Sequence, residues 1–251
     1  MKGKFESSKE LNQFTEPLKT IGSLVGENGV NIVFFKDENG KRVSMIPAIN
    51  RNDGIIIIHT WNSLFDSFEF QKDEQKIGIL KPQDLLSRLS IFDKDIPLEF
   101  EFDDCSLLSF LQKNCTLEFK TSDTELIQEG KRSFKGVDWL ATLDYSTSLD
   151  KFITALNKMS EECIFITGQE EKGRLKLSIK NKDTKSNTFT VYTDATVKEN
   201  FDIIFRKKAF PIIFGTKDMK DIKINIGSKL INISITTSYC KTEYFMSKMI
   251  A

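Results

Sequence analysis

Gln128-Glu-Gly-Lys-Arg-Ser-Phe-Lys-Gly-Val-Asp138 places two glycines around a basic segment without apolar periodicity, as tethers between folded units commonly do. Composition alone leaves a long loop within one domain equally open. The flanks favour a connector, because the residues on either side read as two versions of one pattern of elements. Length agrees, since 251 residues suit two domains of about 110 to 120 residues better than one core. The division is therefore 1–127, a connector at 128–138, and 139–251.

Upstream of the connector, Leu11, Phe14, Leu18, Ile21 and Val25 recur at helical spacing, with Pro17 inside the pattern as a kink or a late start. A hairpin follows, from Asn31–Lys36 through the turn Asp37-Glu-Asn-Gly40 to Arg42–Ile49. Ile55–Trp61, Leu64–Phe70 and Lys76–Leu80 read as strands. Pro82 then opens a second helix carrying Leu85, Leu86, Leu89 and Phe92. Leu98, Phe100 and Phe102 alternate with Glu99, Glu101 and Asp103, a strand with one dry face and one wet face. Leu107–Gln112, Thr116–Lys120 and Glu125–Gln128 complete this half.

Downstream the order returns. Ala141–Tyr145 is a strand, Thr147 and Ser148 are N-cap candidates, and Leu149, Phe152, Ile153, Leu156 and Met159 share one helical face. A hairpin runs from Cys163–Thr167 to Leu175–Ile179, followed by strands at Thr188–Thr193 and Val197–Phe205. Arg206–Met219 holds the place of the second helix, although Pro211 and Gly215 interrupt it. Alternating isoleucines at 222–226 and 231–235 and the stretch Tyr244–Met249 close the chain. The offset between equivalent positions drifts from 138 (Leu11 to Leu149) to 126 (Ile96 to Ile222) as loops shorten, which fits an internal duplication. The expected fold class is α+β, two similar domains of antiparallel sheets with two helices each.

Composition narrows the function. With 36 basic and 36 acidic residues, the chain is no polycation holding nucleic acid by bulk charge, so any such contact needs charge sorted onto one surface. Cys105, Cys115, Cys163 and Cys240 form no C-x-x-C pair and suggest neither a zinc site nor a disulfide framework. The absence of an apolar run long enough to span a bilayer points to a soluble, cytoplasmic protein. His59, the single histidine, follows Ile55–Ile58 and reads as a structural strand residue. No nucleophile, phosphate-loop or dinucleotide motif accompanies it. Glu99, Glu101 and Asp103 read as wet surface rather than a cation site. No cofactor, metal or catalysis is expected.

The helices carry a recurring charge. Lys81 and Arg88 on the second helix, and Lys151 and Lys158 on the third, are each seven residues apart, hence on one face two turns apart. Lys9 and Lys19 on the first helix, and Arg206, Lys207, Lys208 and Lys217 near the fourth, extend the pattern. Singly, each reads as a solvated cation.

With two repeated halves of two helices each, sheets and a connector, the chain resembles the DNA sliding clamps, the family of proliferating cell nuclear antigen and the phage polymerase clamps. The ending Glu243–Met249 is similar to the aromatic final strand of the eukaryotic clamps, without their proline. The resemblance implies a homotrimeric ring with helices lining the hole. The ten basic residues would then face the backbone of double-stranded DNA. It further implies subunit joints between Leu117 and Phe119 of one copy and Phe189 and Val191 of the next. A partner groove of Met45, Phe134, Val137, Phe245 and Ile250 would receive DNA polymerase and other replication proteins, and a clamp-loader ATPase would act on the ring. An open monomeric or dimeric DNA-binding processivity factor and a β-rich viral structural protein also fit the residues.

Overall fold

The computed structural model describes residues 1–103, 106–130, 134, 136–182, 187–216 and 218–249. The chain divides into two compact units, one of residues 1–50, 56–132 and 239–242, the other of residues 51–55, 133–238 and 243–251. One of the five changes of unit along the chain falls inside the segment 128–138.

Unit one is built from β1 (Lys2–Phe5), α1 (Ser8–Val25), β2 (Val30–Lys36), β3 (Arg42–Asn50), β4 (Ile55–Trp61), β5 (Gln75–Ile79), α2 (Pro82–Leu89), β6 (Leu98–Phe102), β7 (Leu107–Gln112) and β8 (Cys115–Lys120). One antiparallel sheet has the order β1-β6-β7-β8, and a second run has the order β5-β2-β3-β4. Between them lies an aromatic core. Phe5, Phe14 and Phe100 are each at most 1% exposed, and their ring centroids lie 5.4 to 6.1 Å apart. Such contacts add directional preference to the burial of large rings.

Two details explain α1. Ser7 caps it, its Oγ accepting from the Glu10 N–H at 3.3 Å, while the Glu10 carboxylate reaches back to the Glu6 N–H at 2.7 Å. Pro17 stands within the helix and has no N–H for the Gln13 carbonyl. That carbonyl instead accepts from the Trp61 indole N–H at 2.9 Å, so the helix runs through the proline with its orphan acceptor satisfied.

Unit two contains β9 (Trp139–Asp144), α3 (Thr147–Lys158), β10 (Cys163–Gln169), β11 (Arg174–Lys180), β12 (Phe189–Asp194), β13 (Thr196–Val197), β14 (Phe201–Arg206), α4 (Phe210–Ile213), β15 (Asp221–Gly227), β16 (Leu230–Thr236) and β17 (Cys240–Ser247). Its core joins Leu149, Phe152 and Leu156 of α3 to Ile164, Leu177, Phe205 and Ile224 of the strands. The duplication is a duplication of topology. The order β1-β6-β7-β8 recurs as β9-β15-β16-β17, and β5-β2-β3-β4 recurs as β14-β10-β11-β12.

Several expected elements differ. Leu64–Phe70 is no strand: turn hydrogen bonds from Asp66 to Ser63 and from Phe68 to Phe65 fold it so that Phe65 and Phe68 plug the aromatic core. Thr124–Leu126 is a single tight turn rather than part of a strand. Ser146, not Thr147 or Ser148, caps α3, accepting from the Leu149 N–H at 3.2 Å. The fourth helix shrinks to Phe210–Ile213, because β14 claims residues through Arg206 in register with Cys163 and a turn closes at Gly215.

His59 is 1% exposed, with its Nδ1 2.8 Å from the Thr242 Oγ1 and its ring edge-on to Trp61. Burial holds the imidazole neutral and pushes its pKa down from 6.5 to about 3. The unfolded chain therefore takes up a proton near pH 6.5 that the folded chain refuses. The stability owed to neutral His59 is complete above that pH and falls by about 1.4 kcal/mol per pH unit toward pH 3. In urea unfolding between pH 7 and 4.5, the native chain is expected to lose about 2–3 kcal/mol that the His59→Gln variant does not lose. Parallel pH profiles would exclude this role.

Candidate nucleic-acid surface and subunit margins

Each long helix separates its faces cleanly. α1 buries Leu11, Phe14, Leu18 and Ile21 and leaves Lys9 and Lys19 exposed. α2 buries Pro82, Leu85 and Leu89 and leaves Arg88 exposed, with Lys81 exposed at its N-cap position. The Gln83 amide donates to the Lys19 carbonyl at 3.2 Å, tying the start of α2 to the last turns of α1. In unit two, α3 buries Leu149, Phe152 and Leu156 and exposes Lys151 and Lys158. Among the described residues, Lys9, Lys19, Lys81, Lys151 and Lys158 take no carboxylate partner. The Arg88 guanidinium lies over the Phe119 ring, 5.8 Å from its centroid.

The remaining basic residues differ in kind. Arg206 ends a strand, paired in register with Cys163, and its side chain is on the opposite side of the sheet from core residue Phe205. Asp53 serves both Arg206 at 4.0 Å and Lys208 at 3.2 Å, and the Lys207 ammonium donates to the Met159 carbonyl. These contacts were invisible in the sequence, where Asp53 and Lys208 are 155 positions apart. Lys217 lies outside the described residues. On the wet face of β6, Glu101 is engaged by Lys2 at 2.7 Å, and no metal-holding cluster of His, Cys, Asp or Glu occurs among the described residues.

The sheet margins are unequal. Glu69 covers β1 through two backbone hydrogen bonds with Lys2, at 2.7 and 2.9 Å, and Met249 donates to the Ile204 carbonyl of β14 at 2.8 Å. β8 and β12, the opposite margins of the same two sheets, show no backbone bond on their outer side among the described residues. The two strands are six residues long each. Leu117 and Phe119 of β8 stand opposite Phe110 and Leu108, and Phe189 and Val191 of β12 stand opposite Ile179 and Leu177, so all four project to the core side of their sheets. Beside β12 an open groove of about 500 Å³ is lined by Lys151, Ala155, Lys158 and Met159 of the α3 region together with Phe189.

The expected groove residues are distributed as follows. Met45 is 4% exposed within β3 of unit one. In unit two Val137 is half-buried, and the half-buried Phe134 ring stacks on Phe245 of β17 with centroids 4.0 Å apart and planes at 21°. Ile250 lies outside the described residues. The ends of the connecting segment are anchored. Gly130 N–H donates to the Pro47 carbonyl at 2.9 Å, where a side chain would strike the Ala48 carbonyl, and Asp138 pairs with Lys198 at 3.2 Å. Among the described residues, no helix is long and apolar enough to cross a membrane.

No protein-family model and no curated protein sequence matches the chain. Solved structures do. The PCNA2–PCNA3 complex from Sulfolobus tokodaii aligns at a TM-score of 0.73 and 14% identity, over 99% of each chain. The proliferating cellular nuclear antigen of Entamoeba histolytica aligns at 0.69 and 13%, over 99% of this chain and 98% of that one. A. fulgidus PCNA, solved with the C-terminal region of FEN-1, aligns at 0.70 and 15%, over 100% and 98%. At these identities the likeness is one of fold, and it spans both units: the chain has the fold of a DNA sliding clamp subunit.

Proposed function

We propose that the chain is a non-enzymatic processivity factor, three copies of which close into a ring around double-stranded DNA and tether a DNA polymerase to it. The observation that carries this reading is the pair of margins β8 and β12 of the two four-stranded sheets, which among the described residues carry no backbone bond on their outer side. Bare strand edges invite pairing, and the opposite margins of those two sheets, β1 and β14, are met by the chain's own residues. A second copy bringing β8 to β12 pairs the two edges between chains.

The exposed cations of α1, α2 and α3 then supply weak, sequence-independent contacts to phosphates, as sliding requires. Arg206, Lys207 and Lys208 contribute less, since Asp53 and the Met159 carbonyl already engage them, and Lys217 is a further member of the set. A clamp-loader ATPase opens the ring, in the cytoplasm at sites of DNA synthesis. Light scattering at micromolar concentration is expected to give three times the 28.8 kDa chain mass. The loaded ring should stay on circular duplex and leave when the circle is cut. A 28.8 kDa particle with salt-sensitive affinity for short linear duplex would replace this reading with an open, charge-gripping factor.

A further inference from the structure

We propose that the outward side of the sheet β14-β10-β11-β12 in unit two is a platform for single-stranded nucleic acid, on which Tyr192 and Phe165 stack bases and nearby lysines meet phosphates. The platform stands on the geometry of unit two and is separate from the helix cations. The clamp reading adds only the occasion, an unpaired template beyond a primer end.

The repeat points to this side. In unit one the counterpart sheet, β5-β2-β3-β4, is covered by residues 122–130: Asn31 Nδ2 donates to the Thr124 and Ile127 carbonyls at 3.0 and 3.4 Å, and a side chain at Gly78 would strike the Ser122 carbonyl. In unit two no such segment crosses the sheet among the described residues, where Met249 reaches only the Ile204 carbonyl and the Cys163 sulfur at one end. Tyr192 is left 53% exposed.

Strand register fixes what the open side carries. Ile164, Ile166, Leu177 and Phe205 are buried toward the core, so their neighbours along each strand face outward. One outward row across the strands reads Tyr192, Lys176, Thr167, Asp202, and the next reads Thr190, Ser178, Phe165, Ile204. Tyr192 and Phe165 are then two strands and two residues apart, about 12 Å, so each ring takes a base of its own.

The charges suit a phosphodiester. Lys176 stands beside Tyr192 and takes no carboxylate partner among the described residues, and the Lys180 ammonium lies 4.2 Å over the Phe165 ring. A base stacking on Phe165 moves that ammonium aside to a neighbouring phosphate. Of the acids on this side, Asp202 accepts from the Thr167 hydroxyl at 2.5 Å and Asp194 pairs with Arg174 at 3.5 Å. An acidic peptide would also be drawn to the lysines, but an open sheet face offers its side chains no pocket, whereas every base has a face to stack.

The test titrates the full chain into a fluorescein-labelled thymidine strand about twelve nucleotides long and reads polarisation. Binding is expected, weakening as salt rises, and weaker for the same strand paired into duplex, whose bases are not free to stack. Tyr192→Ala and Phe165→Leu should each weaken it about fivefold or more, while Tyr192→Phe, which keeps the ring, should match the native chain. Circular dichroism establishes that the variants are folded, and if Phe165→Leu is not, the two Tyr192 variants decide. Absence of binding, indifference to salt, equal binding of duplex, or native affinity in a folded Tyr192→Ala or Phe165→Leu chain overturns the platform. So does an equal loss in Tyr192→Phe and Tyr192→Ala, or a labelled peptide of Glu and Tyr that binds where the strand does not. Solution mass reports separately on the ring, so a monomer with the fivefold loss keeps the platform and loses the clamp, and a trimer that ignores the strand does the reverse.

Discussion

Leu117→Glu and Phe189→Glu should each reduce the assembled chain to monomers, and an equal mixture of the two variants should recover a dimer. The joint proposed between copies is heterologous, with β8 of one chain meeting β12 of the next. Either substitution thus damages one side of every joint and prevents closure. Both residues are half-buried at their sheet margins, so a carboxylate there remains hydrated in the free chain but loses water inside an apolar joint. Loss of a central apolar contact together with burial of a charge costs about 2–4 kcal/mol per joint, or roughly a thirtyfold to thousandfold weakening. The mixture is the sharper measurement. The Leu117→Glu chain retains a sound β12 and the Phe189→Glu chain a sound β8, so one good joint remains and it cannot propagate. Light scattering should then report twice the 28.8 kDa chain mass. A joint of β8 on β8, or of β12 on β12, would leave one variant fully assembled and is excluded by that dimer.

The residues involved show how far a sequence carries. Leu98–Phe102 and Leu149–Met159 declared strand and helix through periods of two and 3.6, and both stand as expected within a residue or two. Leu64–Phe70 misled because its aromatic content resembles a strand, while its core-filling residues, Phe65 and Phe68, are three apart and are supplied by turns. Local composition cannot distinguish an aromatic plug from an aromatic strand when tertiary packing decides between them. The basic residues of α1, α2 and α3 were legible because helical spacing alone separates exposed from buried faces. Arg206 and Lys208 were not. Their partner Asp53 lies more than half the chain away, and the helix assumed to present them gives way to a strand end and a turn. The margins β8 and β12 fell between these cases, since strand identity was readable but edge position follows only from the complete strand order.

Charge reversal on α3 separates a ring that slides from a fold that merely resembles one. In the Lys151→Glu, Lys158→Glu double variant, clamp-dependent primer extension should fall at least about tenfold, with the fold unchanged. Both side chains are exposed and lack a carboxylate partner among the described residues, so their replacement removes no internal ion pair. Exposed substitutions of this kind alter stability by only about 0.5 kcal/mol. Their effect on DNA is larger, because each reversal both removes a phosphate contact and adds repulsion, and three copies repeat the change around one duplex. Both lysines also line the groove beside Phe189, so light scattering must accompany the extension assay. A trimer that has lost processivity assigns the defect to DNA, whereas a monomer assigns it to the joint. Arg206→Glu with Lys208→Glu is the matched comparison: it reverses the same number of charges, but at side chains already neutralised in part by Asp53. That pair should cost processivity several-fold less. If both double variants impair extension equally while remaining trimeric, the helices hold no privileged position toward DNA. If neither does, the cations on α3 are ordinary solvated surface.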